Sequence, residues 1–293
     1  MNTLMQTVVT GAVSGLVIGG LALALAVVYQ GSGILNFAQG QFATVSAYLS
    51  WQLTTWGLPF WGALVVSTVV SFLLGFAVQQ IFIRPVQRAD ELSILIVTVS
   101  LLLIADSLIG SIWGFLPKSL AGPFGEAAYT IADVVFTAQM LAQVVLLVIA
   151  IAAVTILFRK TSIGLRMRAA AAAPESSQLS GINLAATLAI GWGVAAAIGA
   201  VAGTVSAPVT GLSPDVNSST LLLGFAAAAL GGFHSRAGAV AGGLIVGIGT
   251  ALAGAYLPGV GDDLRLMIPL LLIVLTLSVT REGVFTRRGT VRV

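Results

Sequence analysis

Apolar runs of about one bilayer's length, repeated along the whole chain, constrain this sequence more than any other feature. They lie at about 8–28, 40–56, 60–83, 92–113, 135–158, 184–208, 237–257 and 265–280. A transmembrane α-helix needs about 20 predominantly apolar residues, so most of these runs can cross a bilayer. A ninth run, at 221–233, is too short for a full crossing and predicts a half-helix or a span that continues into the glycines after it. The pattern predicts an all-α fold, a polytopic transmembrane helical bundle of about eight spans.

The composition agrees with lipid as the solvent of this chain. Only 8% of the residues are charged, while 58% are hydrophobic, and a soluble domain carries roughly 25% charged residues. The absence of cysteine excludes disulfides, thiolate metal sites and cysteine nucleophiles. His234 is the single histidine, so a multi-histidine metal site is excluded too, and no G-x-S-x-G motif accompanies it. We therefore expect neither an enzyme nor a metal or other cofactor.

Basic residues are concentrated in three hydrophilic segments, at 84–91, 159–183 and 281–293. These segments hold ten of the thirteen Lys and Arg residues, whereas the loops between them carry mostly acids. Cytoplasmic loops of membrane proteins are enriched in Lys and Arg, so the three segments, including the C-terminus, are expected in the cytoplasm. Because the charges separate apolar runs, they indicate orientation in a membrane rather than binding to nucleic acid.

Glycines recur at four-residue spacing in several runs. Gly11, Gly15 and Gly19 form one series, and Gly243 and Gly247 form another. Small residues four apart leave a smooth stripe along which two helices can approach closely. The spacing predicts packed helix faces, but it leaves open whether the neighbouring helix belongs to this chain or to another.

The chain lacks the sequence of an ATP-hydrolysing site. No G-x-x-x-x-G-K-[ST] loop is present, and neither Lys118 nor Lys160 has a glycine-rich context. If ATP drives this protein, a separate polypeptide must bind it, and force must enter through a cytoplasmic segment.

The segment 159–183 is the strongest candidate for that entry point. Thr161 or Ser162 can cap a helix, Pro174 can open a second short helix, and Gly181 can close it in a left-handed conformation. These signals predict a structured helical elbow. The alternative is an ordinary connecting loop whose arginines only set topology.

The region 31–48 combines helix breakers with uncharged polar residues. Gly31 and Gly33 interrupt the helical pattern before a cluster of amide and aromatic side chains, which comprises Asn36, Phe37, Gln39 and Gln41. Irregular backbone at membrane depth is tolerated where it is buried in protein or lines a cavity. The sequence thus predicts a broken or re-entrant helix near 31–41, with these four residues near a translocation path. A turn at the membrane boundary is the alternative.

Two ionisable residues have competing interpretations. Asp106 lies within an apolar run, where acids often mark ion or proton relays. A single acid without an obvious basic partner also fits a role in helix packing. His234 and Arg236 follow the Gly231–Gly232 pair and indicate a membrane boundary.

Several segments resemble one family of proteins in order along nearly the whole chain. Leu35-Asn36-Phe37-Ala38-Gln39-Gly40 resembles the signature of bacterial branched-chain amino acid ABC permeases, with Gln39 where histidine is more usual. The turn at 84–88, the loop at 161–183 and the glycine-rich stretch at 221–247 are similar to later parts of that family.

The resemblance implies a single transmembrane permease domain over 1–293 that is similar to the H-type subunit of Liv importers. Its expected partners are a second permease (M-type or a second copy of itself), two cytoplasmic ATPases that bind the ATP, an extracytoplasmic substrate-binding protein and membrane lipid. The expected location is the bacterial plasma or inner membrane. Residues that we expect at the ATPase interface are Arg166, Arg168, Glu175 and Gly181.

Other functions stay open from sequence alone. The same family includes permeases for urea and short amides, and the residue at Gln39 leaves the substrate undetermined. A secondary transporter or channel would work without ATPase partners, but the shortage of intramembrane charges argues against it. An intramembrane enzyme would need converging acid, base or metal groups that the sequence does not offer.

Overall fold

A computed structural model describes residues 2–87, 89–125, 127–131 and 134–256, together with the helical positions 267, 270, 271 and 274. The helices of the described part are α1 (Asn2–Ser32), α2 (Gln39–Thr55), α3 (Phe60–Val78), α4 (Arg84–Val86), α5 (Glu91–Trp113), α6 (Ala138–Lys160), α7 (Ser162–Ala172), α8 (Pro174–Leu179), α9 (Leu184–Thr210), α10 (Val216–Gly231) and α11 (Arg236–Tyr256). A π-helical turn, Gln79–Ile83, joins α3 to α4. Most of the predicted run at 265–280 and all of the tail at 281–293 lie outside the described residues.

Six of the described helices are long and apolar enough to cross a membrane. Their spans are Thr3–Ser32, Phe60–Val86, Leu92–Trp113, Ala138–Lys160, Leu184–Thr210 and Arg236–Tyr256. Helix α10 is a shorter apolar helix of 16 residues, and α2 has 17 residues of mixed polarity. The prediction of a polytopic helical bundle is confirmed.

A small β-hairpin accompanies the predicted helical bundle. Strands β1 (Ala128–Ile131) and β2 (Val134–Thr137) pair antiparallel, with Ala128 opposite Thr137. The first residues of the predicted apolar run at 135–158 thus belong to β2 and not to a helix. The β-branched residues of β2 raised the hydropathy there. Helix α6 begins only at Ala138, where the Thr137 hydroxyl caps it by accepting a hydrogen bond from the Met140 N–H at 3.1 Å.

Helix α10 is longer than the half-helix predicted at 221–233. It starts at Val216, and polar residues such as Asn217 in its first turn hid that start from a hydropathy reading. It ends at Gly231, because Gly232 has a φ of 89° and turns the chain out of the helix. The alternative of a span continuing into the glycines was wrong, since α11 begins separately at Arg236.

The bundle has two distinguishable ends. We call the end that carries β1 and β2 the hairpin end. The first turns of α1 lie at this end. There the Gln6 side chain donates to the Val135 carbonyl at 3.1 Å and accepts from the Val135 N–H at 2.8 Å. The opposite end, with α7, α8 and the turn between α10 and α11, is called the basic end. There the Gln30 amide of α1 donates to the Phe233 carbonyl at 3.0 Å.

The centre of the bundle is formed by α1, α2, α9 and α10. Trp192 of α9 and Tyr48 of α2 are among the largest fully buried side chains. By contrast, α3, α5 and α6 expose long apolar side chains, for example Val65 at 62% and Leu103 at 59%. An apolar surface of this extent requires lipid or another protein as its neighbour.

Glycines allow a close contact between α1 and α11. A methyl group added to Gly15 would lie 2.9 Å from the Gly243 carbonyl oxygen, and one added to Gly11 would lie 2.8 Å from the Ala251 methyl. We call the set Gly11, Gly15, Gly19, Gly243 and Gly247 the glycine seam. The predicted packing faces are confirmed, and the neighbouring helix lies within this chain.

Candidate functional site

The chain breaks between α1 and α2, near the predicted position at 31–41. Gly33 has a φ of 70° and ends α1 after Ser32, whereas Gly31 remains helical, contrary to the prediction that both glycines interrupt the helix. Residues 33–38 are not helical. The break starts at the basic end, where Gly33 lines one cavity with His234 and Arg236. It ends deep in the bundle, because Gln39 reaches Ala195, about 16 Å along α9 from its first residue at 1.5 Å per residue.

Asn36 and Gln39 hold the break together through their amides. The Asn36 side-chain oxygen accepts from the Ala38 N–H at 3.0 Å, and its nitrogen donates to the Gln39 side-chain oxygen at 3.3 Å. The Gln39 nitrogen then donates to the Ala195 carbonyl at 2.9 Å. Both side chains are fully buried. Their polar atoms are therefore engaged within the protein, and they position the irregular backbone against α9.

The other two predicted path residues have different surroundings. The Phe37 ring is half-buried and packs on the Phe225 ring of α10, with centroids 4.8 Å apart. Gln41 is buried, and its side-chain oxygen has no hydrogen-bond partner among the described residues. The structure thus joins Asn36 to Gln39 and places Phe37 and Gln41 apart from that pair.

A chain of buried hydroxyls continues from this region toward the hairpin end. The Ser50 hydroxyl donates to Ser67 of α3 at 2.7 Å and lies 3.2 Å from the Thr204 hydroxyl of α9. Ser46 of α2 bonds to Ser71 of α3. We call these five residues the hydroxyl seam. Sequence reasoning missed it, although serines four residues apart in two consecutive apolar runs were a usable signal.

Helix α10 adds a second polar contact that the sequence did not reveal. The Asn217 amide donates to the Thr44 hydroxyl at 3.0 Å, which ties α10 to α2. A cavity of about 170 Å³ lies beside Asn217 and is lined by both uncharged polar and apolar side chains. Its polar residues are Ser14, Gln143, Ser206, Thr210, Asn217 and Thr220.

The predicted elbow at 159–183 is present at the basic end. The Thr161 hydroxyl caps α7 by accepting from the Gly164 N–H at 3.3 Å. Pro174 opens α8, and Gly181 follows it with a φ of 81°, as the sequence predicted. Leu179 of α8 is 91% exposed, which is unusual for leucine outside the lipid-facing helices. The segment thus consists of two short helices, with an exposed apolar residue at the end of α8 that we call the tip.

The four residues expected at an ATPase interface do not form one cluster. Arg166 and Gly181 line the same cavity of about 310 Å³ at the end of α8. Arg168, two residues further along α7, lines a different cavity of about 520 Å³ with Arg236. Two residues correspond to about 200° around a helix, so the two arginines point to opposite sides. Glu175 is exposed on α8.

Of the two ionisable residues of uncertain role, Asp106 lies on α5, and His234 lines one cavity with Gly33 at the start of the break. Asp106 is half-buried on α5, and one of its carboxylate oxygens has no hydrogen-bond partner among the described residues. His234 is exposed at the basic end, where its ring contacts the Tyr29 ring edge-on at 5.3 Å. Its position agrees with the predicted boundary of the bundle.

These helices define a multi-pass membrane protein in which an irregular segment between α1 and α2 leads from the basic end into the bundle. Residues 7–277 match the family described as branched-chain amino acid transport system / permease component, and the chain belongs to that family. It is therefore a permease component of a transport system.

The comparisons with individual proteins agree with that assignment. The chain is 27% identical, over 97% of its length and 96% of theirs, to the proteins named high-affinity branched-chain amino acid transport system permease protein LivH from Salmonella typhimurium and Escherichia coli K12. It is 25% identical to the corresponding protein BraD of Pseudomonas aeruginosa, with the same coverage. Its fold is similar to that of PsaBC from Streptococcus pneumoniae in complex with Fab, with a TM-score of 0.50 and 13% identity over 92% of this chain and 90% of the other.

Proposed function

We propose that this chain is a transmembrane subunit of an ATP-binding-cassette importer that carries branched-chain or other small amino acids by alternating access. The family and the names of its relatives support this cargo. The observation that carries the proposal is the helix break at Asn36–Gln39, held deep in the bundle by uncharged amides. Irregular backbone at this depth is typical of transport pathways.

The chemistry along the proposed path suits a zwitterion with a small apolar side chain. Hydroxyls and amides can contact ammonium and carboxylate groups in turn, and Phe37 with Phe225 offers an apolar surface. None of these groups carries a charge, so contacts stay weak enough for release. A urea or short-amide cargo is the second candidate. The Gln41 side-chain oxygen has no partner among the described residues, and it would accept a hydrogen bond from an amide N–H.

In this proposal the energy comes from a pair of ATPases that dock at the basic end. The basic end and the C-terminus then face the cytoplasm. ATP would be bound and hydrolysed on those partners. The exposed tip of α8, with Leu179 and Glu175, and Arg166 on α7 are the contacts that would receive their movement. A substrate-binding protein would dock at the hairpin end, on 114–134 and 209–220, and a second permease subunit against the exposed apolar helices.

Reconstitution in vesicles tests the class of transporter. We expect uptake of radiolabelled leucine only when the ATPases, the second permease and the binding protein are present with ATP. Accumulation by this chain alone against a gradient would contradict the proposal and favour a secondary transporter. Uptake of urea but not leucine would replace the cargo and leave the mechanism standing.

Substitutions in the elbow test the coupling assignment. We expect Leu179→Asp and Arg166→Gln each to reduce ATPase co-purification and uptake at least about fivefold, since removing a central contact commonly costs 1 kcal/mol or more. The matched control is Arg84→Gln, which removes an exposed positive charge from a different segment, outside 159–183. Unchanged co-purification and uptake in both elbow variants would remove the assignment.

A further inference from the structure

A cavity at the basic end gathers positive charge that neither the helix break nor the elbow tip accounts for. It has a volume of about 520 Å³ and lies between the end of α1, helix α7 and the start of α11. Arg168, Arg236 and His234 line it beside Tyr29. Apolar residues, including Val27, form the rest of its wall. We call this space the basic cavity.

Arg236 is fixed in place by two contacts. Its guanidinium lies over the Phe158 ring, 4.6 Å from the centroid, and donates to the Gln30 side-chain oxygen at 2.6 Å. Gln30 is itself held by its bond to the Phe233 carbonyl. A guanidinium has five N–H donors, and in the described part of the chain only this one is used. The fork is therefore oriented in advance, with most of its donors free.

No acidic residue of the described ranges forms an ion pair with this group of arginines. Arg168 and Arg236 instead line the same cavity, so their positive charges repel each other. Like charges held together in a partly desolvated site destabilise one another unless an anion joins them. Arginines that only set the orientation of the protein in the membrane could lie anywhere at this end of the bundle. Orientation therefore does not explain why they line one shared cavity.

We propose that the basic cavity binds the phosphate of an anionic phospholipid headgroup. Arginine suits phosphate because its planar fork donates two parallel hydrogen bonds to two oxygens. The cavity lies where spans end, at the level of lipid headgroups, and basic pockets between transmembrane helices at this level are typical headgroup sites. The apolar wall at Val27 and Met167 offers contact to the glycerol and the first methylenes of the lipid, which free phosphate lacks.

The inference changes the role of Arg168. Sequence reasoning grouped it with Arg166 at the ATPase interface, but it lines the basic cavity on the opposite side of α7. A lipid bound here would contact α1, α7 and α11 at once, and would tie the elbow to the glycine-packed pair of helices.

Native mass spectrometry and thermal unfolding of the purified chain in neutral detergent test the proposal. The probes are dioleoylphosphatidylglycerol, dioleoylphosphatidylcholine and inorganic phosphate. For the wild type we expect retention of phosphatidylglycerol and a higher unfolding temperature with it, little effect of phosphatidylcholine, and no effect of millimolar phosphate. Arg168→Gln and Arg236→Gln should each weaken phosphatidylglycerol binding roughly fivefold, since one basic residue near an anionic surface contributes about 1 kcal/mol.

Controls separate the headgroup site from general surface charge. Lys160→Gln removes a neighbouring exposed charge outside the cavity and should bind the lipid like the wild type. Arg168 makes no hydrogen bond to another helix among the described residues, so its variant keeps the test valid if Arg236→Gln fails to fold. Equal lipid retention in all variants would overturn the proposal. If free phosphate stabilised the protein as much as phosphatidylglycerol does, the proposal that a lipid supplies the phosphate would be wrong.

Discussion

The glycine seam between α1 and α11 and the hydroxyl seam among α2, α3 and α9 both allow helices to pack closely, but by different chemistry. In the glycine seam side chains are absent, and the backbone of one helix occupies the space of the other. In the hydroxyl seam small side chains are present and bond across the interface, as Ser50 does with Ser67 and Thr204.

The difference indicates which contacts can move. Sliding α1 along α11 would bring a residue with a Cβ against a glycine position, so these two helices form one rigid unit. A hydroxyl both donates and accepts, and its hydrogen rotates, so the hydroxyl seam can exchange partners at little cost. In an alternating-access cycle we therefore expect motion at α2 and α3, around a fixed pair of α1 and α11.

The strongest test of rigidity compares two glycines of α11. Gly247→Leu should prevent stable folding, with a loss of at least about 3 kcal/mol, because its Cβ would overlap the backbone at Gly15. Gly249→Leu is the matched control, since a Cβ there meets nothing within 4 Å. Size-exclusion chromatography and thermal unfolding in detergent measure both. Similar stability of the two variants would mean that the seam is not rigid.

The second test concerns two buried glutamines of α2. Gln39→Leu should lower the free energy of unfolding by about 2 kcal/mol, because the Ala195 carbonyl and the Asn36 amide lose their partner. Gln41→Leu removes an oxygen that already has no partner among the described residues, so it should cost less. Gln39→His introduces the residue that is more usual in the permease signature. This variant should keep a hydrogen-bond donor at position 39 and most of the stability.

Thermal unfolding of these three variants decides the point. A larger loss in Gln41→Leu than in Gln39→Leu would contradict the role of Gln39 as the tie between the break and α9. It would also suggest that Gln41 has a partner that the described residues do not include.

These tests also mark how far the sequence alone leads. Periodic glycine spacing, the proline at α8 and the breaker at Gly33 predicted their structures because each acts through local backbone geometry. The sequence could not predict that Gln39 donates to the Ala195 carbonyl, since that contact joins residues 156 apart in the chain. It treated Arg166 and Arg168 alike because charge alone does not reveal which side of α7 faces the bundle.

The smallest expected effect lies in the hydroxyl seam. Ser50→Ala and Ser67→Ala should each reduce the free energy of unfolding by about 1 kcal/mol. Because the two hydroxyls are directly bonded, the double variant should lose clearly less than the sum. A double-mutant cycle measured by unfolding checks this coupling, with Ser111→Ala on the exposed part of α5 as the control. Full additivity would show that the bond between them contributes nothing.

The π-helical turn Gln79–Ile83 sets the direction in which the first basic loop points. Each residue of an α-helix advances about 100° around the axis, so a wide turn that holds one additional residue rotates everything after it by about that angle. Arg84, which donates to Gln80 at 3.1 Å, comes directly after this turn. If the chain were one residue shorter here, the helix would continue without the wide turn, and the Arg84 side chain would face a different neighbour. Segment length, as much as residue type, therefore decides where this arginine is presented.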